Sequence, residues 1–423
     1  MHPISRVLKN SNFFIFVISQ TISQFGDKLD YIALVGLIGV FGPEKEPMLL
    51  SQLAIFFSLP IIIFGPISGV LVDRWHRKRV MVTCDLLRGF LVCLIPIIFL
   101  LIHSIYPVFV IVFFVFLTTL FFNTARLAII PDIVKKENVL IANSVATFVG
   151  RFATFLGMVL GGFIIDWSFW PREVGMEGWQ VGFFLDGATF FLSAGFLATI
   201  TIHLMAHKKK KEMLNEIGGG LRGVLSDFKE TFHLLFREET ITYVFTSVLI
   251  LVFAASAIYI YVIPMVQHGM NLGTRGVGIL GGVGGVGLLI GALLTGVVGH
   301  RYDLKKIIYY NLTTLGIGLL ILPLIQAFIL LCLFTFIGGL LLSPIFVAQE
   351  TLLHHEVPDL MRGRIFSSRE WILALSFAVF SAVNGTLGSI IEPGLWLKIV
   401  GGIIIVSTLI NRIRLRKGGE GRY

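Results

Sequence analysis

Long apolar runs dominate the chain, and short polar segments separate them. A membrane-spanning helix requires about 20 predominantly apolar residues, and twelve runs meet this requirement. They are predicted at residues 13–40, 48–72, 80–102, 106–130, 139–167, 178–205, 240–266, 274–299, 305–325, 327–349, 365–391 and 394–411. The pattern therefore predicts an all-α membrane protein with twelve transmembrane helices. The polar start and the acids of the first run indicate a retained span rather than a cleaved signal peptide.

Composition excludes the main alternatives to a membrane protein. The 423 residues are 56% hydrophobic and only 14% charged, against about 25% charged residues in an ordinary soluble domain. Intrinsic disorder needs low hydrophobicity and high charge, so it is excluded as well. The three cysteines, Cys84, Cys93 and Cys332, lie in apolar runs and are read as small hydrophobic residues.

The basic residues indicate topology. The net charge is +9, but 25 of the 34 Lys and Arg residues fall on the side of the predicted bundle that carries both termini, and 4 fall in the opposite loops. Cytoplasmic loops are enriched in Lys and Arg, so both termini are predicted to be cytoplasmic, in a multi-pass protein of the cell membrane. The charge is thereby explained without a nucleic-acid partner.

A basic segment divides the spans six and six. Residues 206–238 begin with Lys208–Lys211 and continue with apolar residues at helical spacing, which predicts a cytoplasmic linker with an amphipathic helix. A calmodulin-like partner site is the alternative to a plain tether. The predicted domains are an N-terminal six-helix bundle at 1–205 and a C-terminal one at 239–423.

The two halves are related by a constant offset of 227 residues. Arg74 corresponds to Arg301, and Pro131–Asp132 corresponds to Pro358–Asp359. Parallel six-span repeats are a transporter architecture that binds substrate near the middle of the membrane. Two pseudo-symmetric bundles are therefore expected, and they would expose the site to each side in turn.

Several motifs carry a family resemblance. The segment Gly69 to Arg79 resembles the major facilitator superfamily loop motif G-x-x-x-D-R-x-G-R-R-x, with His76 in place of the second glycine. The chain also looks like the branch that contains macrolide exporters and the enterobactin exporter. That likeness is carried by Gln24–Asp27, Ala128–Asp132, Ala142–Asn143, Leu185–Phe190 and Pro358–Ser367. The resemblance implies the major facilitator fold and transport by alternating access.

A glycine cluster in the fifth span resembles the antiporter motif G-P-x-x-G-G of exporters in this superfamily. The glycines are Gly157, Gly161 and Gly162, with Met158 in place of the proline. The resemblance implies export by antiport. Close helix packing through small residues is the alternative explanation.

Ionisable groups inside a membrane are costly and mark functional sites. Asp27 and Asp30 lie three residues apart on one face of the first span, so they are candidates for proton coupling or substrate binding, together with Gln24. Arg151 in the fifth span would pair with Asp27 or hold an anionic group of the substrate. Asp186 in the sixth span matches a branch motif, and its role is left open.

A second set of polar residues is predicted to gate the transporter at its cytoplasmic side. Asn123 and Glu350 correspond through the same offset, at the ends of spans four and ten. Arg88 and Asp85 in the third span, and Arg369 and Glu370 in the eleventh, are placed at shallow depth in an ion-pair network with Asp73. This network would latch the two halves in the outward-open state. Interfacial snorkelling is the alternative for Asn123 and Arg126. The set comprises Asp73, Arg74, Arg77, Arg79, Arg88, Asn123, Arg126, Glu350, Arg369 and Glu370.

The sequence predicts a secondary active transporter and no enzyme. The expected activity is proton-coupled, multidrug-type export of amphipathic organic compounds such as drugs or siderophores, by a monomer in a lipid bilayer. The sequence lacks a Walker element, which argues against an ATP-driven pump, and neither a cofactor nor a metal is expected. A lysophospholipid transporter of the same superfamily and a non-transporting membrane sensor or scaffold are the alternatives.

Overall fold

The computed structural model consists of long helices. It describes residues 7–201, 238–299, 302–357 and 362–420, and among these residues there is no β-strand. The twelve long helices are α1 Ser11–Gly39, α2 Glu46–Val72, α3 Arg77–Ile102, α4 Tyr106–Ile133, α5 Val139–Ile165, α6 Gly178–Thr199, α7 Glu239–Pro264, α8 Gly273–Val298, α9 Leu304–Ile321, α10 Phe328–Glu356, α11 Arg362–Gly388 and α12 Pro393–Glu420. Each coincides with one predicted span, which confirms the all-α membrane architecture.

Eleven of these helices are long and apolar enough to cross a membrane, counted over the described residues. The exception is α1, whose 29 residues would extend about 44 Å at 1.5 Å per residue. It is long enough to span, but Asp27, Lys28 and Asp30 lower its mean hydropathy. The one long helix without a sufficiently apolar central stretch, among the described residues, is therefore the helix with the predicted coupling acids.

Local signals in the sequence determine several helix ends. Glu177 and Gln180 form a capping box at the start of α6. The side chain of each residue accepts a hydrogen bond from the backbone N–H of the other. Asp303 caps α9 by accepting a hydrogen bond from the Lys305 backbone N–H at 2.8 Å. At the end of α3, His103 adopts a left-handed conformation with φ of 55°.

The chain forms two compact units. Unit 1 comprises residues Met1–Leu37 and Leu59–Gly223, and unit 2 comprises Ile38–Ser58 and Val224–Tyr423. The linker predicted at 206–238, with its amphipathic helix, lies almost entirely outside the described residues. The predicted boundary between two six-helix bundles therefore stays a prediction.

Each unit is held by apolar packing between helices. In unit 1, the start of α1 contributes Phe13 and Phe16 to a buried cluster that also contains Met81, Phe122 and Ile129. In unit 2, the glycines of α8 allow close contact with α10. A Cβ at Gly291 would lie 2.8 Å from the Leu340 carbonyl oxygen, so only glycine fits there.

Candidate functional site

The middle of α1 places two acids on one face, as predicted from their spacing. The side chain of Asp27 is 32% exposed, whereas Asp30 is buried. The Oδ1 atom of Asp30 has no hydrogen-bond partner. The two carboxyl groups, one helical turn apart, therefore occupy different environments.

Arg88 on α3 is the cation that meets these acids. Its side chain is fully buried, and its Nη1 donates a hydrogen bond to Asp27 Oδ1 at 3.3 Å. Its Nη2 donates to Asp85 Oδ1 and to Ser23 Oγ at 3.3 Å. One guanidinium thus connects two carboxylates from two helices, Asp27 of α1 and Asp85 of α3.

Aromatic rings enclose the guanidinium of Arg88. Its carbon lies 4.2 Å from the ring centroid of Phe122 on α4 and 4.2 Å from that of Phe190 on α6. Cation–π contacts of this kind are strongest where water is excluded. Ser193 on α6 completes the enclosure by donating a hydrogen bond to Asp85 Oδ2 at 2.6 Å.

The predicted pairing of Arg88 with Asp73 at shallow depth is wrong. Arg88 lies about 17 Å along α3, a helix of about 39 Å at 1.5 Å per residue, so it is near the middle. The helix begins at Arg77, earlier than the predicted span. Asp85, which was predicted to share this network with Arg88, is an ion-pair partner of Arg88, and the spacing of three places both charges on one face of α3.

Asp27 takes Arg88 as its ion-pair partner, so the predicted pairing of Asp27 with Arg151 is wrong. The side chain of Arg151 on α5 is exposed. The reason is the neighbouring Gly150, which faces α1 and leaves the space that the Gln24 side chain occupies. A Cβ at position 150 would lie 2.6 Å from Gln24 Nε2.

The glycines of the predicted antiporter motif line a close contact between α5 and α1. A Cβ at Gly157 would lie 2.7 Å from the Phe25 carbonyl oxygen, and one at Gly161 would lie 3.2 Å from Leu29 Cδ2. Gly162 is buried as well. The structure thus gives these glycines a packing role next to the acids of α1. Their part in antiport stays a prediction.

The predicted gate in unit 1 centres on Arg77. Its Nη1 donates to Asp132 Oδ2 at 2.8 Å and to the Ala128 carbonyl at 3.0 Å, which ties the start of α3 to the end of α4. Asp73 lies 3.9 Å from Arg77 Nη2.

The remaining predicted gate residues of unit 1 differ in exposure. Arg79 and Asn123 are exposed, and Arg74 is half-buried. Arg126 is half-buried too, with its Nε atom buried and without a hydrogen-bond partner. Arg126 lies one turn along α4 from Phe122, whose ring contacts Arg88, and Asp27 and Arg88 act on it electrostatically, so Arg126 belongs to the surroundings of the buried cluster.

The predicted gate residues of unit 2 form a second ion-pair group. The buried Arg369 on α11 donates to Glu370 at 3.0 Å and lies 4.0 Å from Glu350 at the end of α10. Next to Glu350, the buried Gln349 donates to Ser247 Oγ on α7 at 2.9 Å. The predicted latch between the halves stays a prediction.

Unit 2 also contains a neutral polar network that was not predicted from the sequence. The fully buried Asn384 on α11 donates to Ser256 Oγ at 2.8 Å and accepts from Trp396 Nε1 at 2.8 Å. The Tyr261 hydroxyl donates to the Asn384 carbonyl at 2.7 Å. An amide in the apolar run of α11 was the available signal, because such a group needs partners when it is buried.

A family model described as Major Facilitator Superfamily matches residues 11–381. The chain belongs to the major facilitator superfamily. It is therefore a member of a family of membrane transporters, which is not an enzyme class. The predicted resemblance is confirmed, and so is the predicted major facilitator fold.

Exporter-type proteins are among the relatives of this superfamily member. The protein named Putative bacilysin exporter BacE from Bacillus subtilis (strain 168) is 24% identical over 97% of this chain and 97% of its own length. Macrolide efflux protein A from Streptococcus pyogenes is 23% identical over 87% of this chain and 88% of its own.

Solved transporters share the fold. A bacterial homologue of the human lysosomal transporter Spinster, in an inward-facing and occupied conformation, superimposes with a TM-score of 0.69. The sequence identity is 14%, and the match covers 96% of each chain. Similarity at this level supports the fold and leaves the substrate open.

Proposed function

We propose that this chain is a proton-coupled exporter, an antiporter of amphipathic organic compounds such as drugs or siderophores. The observation that carries the proposal is the buried Arg88, which bonds to the partly exposed Asp27 and the buried Asp85. Unit 1 buries four ionisable side chains, those of Asp30, Asp85, Arg88 and Asp186. Burying charged groups in a membrane is costly, which favours a functional role for them. The relatives named as exporters support the direction of transport.

The geometry supports a competition at Asp27. Its side chain is 32% exposed, which favours Asp27 as the acid that exchanges a proton with the transport pathway. The buried Asp85 stays bonded to Arg88 and Ser193. Protonation of Asp27 removes its charge and weakens its bond to Arg88, and Asp85 and Ser23 then hold the guanidinium. Proton binding would in this way change the contact between α1 and α3.

This change at α1 would be linked to alternating access. Gly157 and Gly161 hold α5 directly against α1, so a shift of α1 would be transmitted to its neighbour. Substrate would enter from the cytoplasm or the inner leaflet, with Gln24 and the exposed Arg151 as its proposed contacts. Both termini would be cytoplasmic in a cell-membrane protein that works as a monomer.

The test is movement of ethidium and of labelled erythromycin in proteoliposomes under an imposed pH gradient. Wild type should move at least one of these probes when the gradient is present, and Asp27→Asn should abolish the gradient-driven part. Glu356→Gln is the matched control, because it removes a carboxylate from the exposed end of α10.

Two outcomes would contradict the proposal. Gradient-driven movement that persists in Asp27→Asn would exclude Asp27 as the coupling acid. Movement of a labelled lysophospholipid without any dependence on pH would instead favour a lipid carrier.

A further inference from the structure

Asp186 on α6 is a fully buried acid that the proposed competition at Asp27 does not use. The Thr189 hydroxyl, one turn along the same helix, donates to the Asp186 backbone carbonyl at 2.8 Å and over a longer distance, 3.2 Å, to Asp186 Oδ1. The Oδ2 atom of Asp186 is buried and has no hydrogen-bond partner. No salt bridge joins it to a cation, as far as the described residues extend.

The contact of α6 with α1 brings this carboxyl to the coupling acids. A Cβ at Gly26 would overlap both Thr189 Oγ1 and Asp186 Oδ1, so α1 approaches Asp186 at the residue directly before Asp27. Gly26 and Asp30 are four residues apart, so they lie on the same face of α1. Asp30 is buried as well, and its Oδ1, like Oδ2 of Asp186, has no hydrogen-bond partner. The face of α1 that meets Asp186 thus carries another buried acid.

The charges around Asp186 do not balance. Four carboxyl groups from three helices share this interior with three buried or half-buried cations, Lys28, Arg88 and Arg126. The titratable and charged groups that face Asp186 or its neighbours are Asp27, Lys28 and Asp30 on α1, Asp85, Arg88 and Cys93 on α3, and Arg126 on α4.

Arg88 donates its hydrogen bonds to the carboxylates of Asp85 and Asp27, and not to those of Asp30 or Asp186. Lys28 lies 6.0 Å from the ring of Tyr31 on its own helix. An ionised carboxylate without a cation is far more costly in an apolar interior than a neutral acid is. Two neighbouring acids without a cation therefore share a proton more readily than they both ionise.

We propose that Asp186 is a proton-binding residue of the transport cycle, which shares a proton with Asp30 while Asp27 stays bonded to Arg88. This inference rests on the proposed proton-coupled export and names a second residue for it. The proton enters at the partly exposed Asp27 and moves one helical turn inward to the Asp30–Asp186 pair. The O–H bond at Asp27 breaks as an O–H bond to one of these carboxyl oxygens forms.

The experiment uses the full chain, purified and reconstituted, with Asp186→Asn. Asparagine keeps the shape and can still accept the hydrogen bond of Thr189, but it cannot take up a proton. Ethidium movement driven by a pH gradient should be lost, while exchange of ethidium without a gradient should remain. The infrared C=O band of a protonated carboxylic acid should weaken in Asp186→Asn and persist in Glu356→Gln.

Two further variants keep the test decisive if Asp186→Asn does not fold. Asp186→Glu retains an ionisable group and should restore gradient-driven movement and the infrared band. Thr189→Val removes a donor that favours the ionised carboxylate, so it should move the midpoint of the pH dependence to higher pH. An unchanged midpoint in a folded Thr189→Val variant would count against Asp186.

The outcomes separate this inference from the proposed function. If wild type shows no gradient-driven movement of either probe, the proposed function fails and the role of Asp186 fails with it. If wild type is gradient-driven and Asp186→Asn keeps both that movement and the infrared band, only the inference on Asp186 is overturned.

Discussion

The Arg88 cluster of unit 1 and the Asn384 network of unit 2 are built from different chemistry. In unit 1, Arg88 joins two carboxylates, and neighbouring acids keep oxygen atoms without partners. In unit 2, the amide of Asn384 binds Ser256 and Trp396, all three as neutral groups. The first cluster changes its charge when a proton binds, and the second does not.

The difference is already present in the repeat that relates the halves. The positions 227 residues after Asp27, Asp30 and Arg88 are Ala254, Ala257 and Leu315. The two halves thus share an architecture, but the first alone carries charge at these positions. A satisfied neutral network favours one fixed packing, whereas an incompletely satisfied charged network can respond to a proton.

The largest effect should come from Arg88→Leu, which leaves Asp27 and Asp85 without their cation. Removing one partner of a buried ion pair costs about 3–5 kcal/mol of stability. Thermal unfolding in detergent should show a large loss, and Arg414→Leu on the exposed end of α12 should show little. The double variant Asp85→Leu/Arg88→Leu should recover part of the loss. Equal stability of Arg88→Leu and wild type would show that the cluster is not a stabilising ion pair.

A smaller effect is expected from Asn384→Leu in the neutral network. It leaves the Trp396 N–H buried without its acceptor, and such a group costs about 1–3 kcal/mol. The Ser256 hydroxyl loses the donor from Asn384 but still donates to the Phe253 carbonyl at 2.9 Å. The variant should unfold at lower temperature, yet the pH dependence of ethidium movement should not shift. A shifted pH dependence would mean that unit 2 takes part in proton coupling.

The smallest effect is expected from Gly157→Ala at the contact of α5 with α1. The new methyl group would meet the Phe25 carbonyl oxygen at 2.7 Å, and overpacking of this kind costs about 1–3 kcal/mol. Gly195→Ala on α6 is the control, because no atom lies within 4 Å of its built Cβ. Transport rate and stability should fall in Gly157→Ala alone. An equal loss in both variants would show that the α5–α1 contact is not the cause.

The agreement between predicted spans and observed helices has a simple cause. Each span must satisfy its backbone groups internally in an apolar solvent, so a run of about 20 apolar residues has one outcome. The less apolar α1 was also predicted, because apolar residues continue on both sides of Asp27 and Asp30. Membership of the superfamily was equally readable, from motifs such as Gly69 to Arg79.

The partners inside unit 1 could not be predicted in the same way. Arg88 and Arg151 were both basic residues in apolar runs, and neither run indicates which one faces α1. In the structure, Arg88 is the residue that faces α1, enclosed by the rings of Phe122 and Phe190. On α5, Gly150 faces α1 instead of Arg151, and the Gln24 side chain packs against it. The position of Arg88 along α3 was predicted too close to the start of the helix. The helix begins at Arg77, and the basic residues of its first turn do not belong to the apolar run from which the span was predicted.

By itself, the sequence determined that this chain crosses a membrane many times, which family it belongs to and which residues carry charge in the apolar interior. These properties depend on local composition and on motifs within one segment. The tertiary structure alone decided which charges meet, because Asp27, Asp85, Arg88 and Asp186 lie on three helices. Their contacts depend on helix packing at glycines, a property of pairs of helices that no single segment contains.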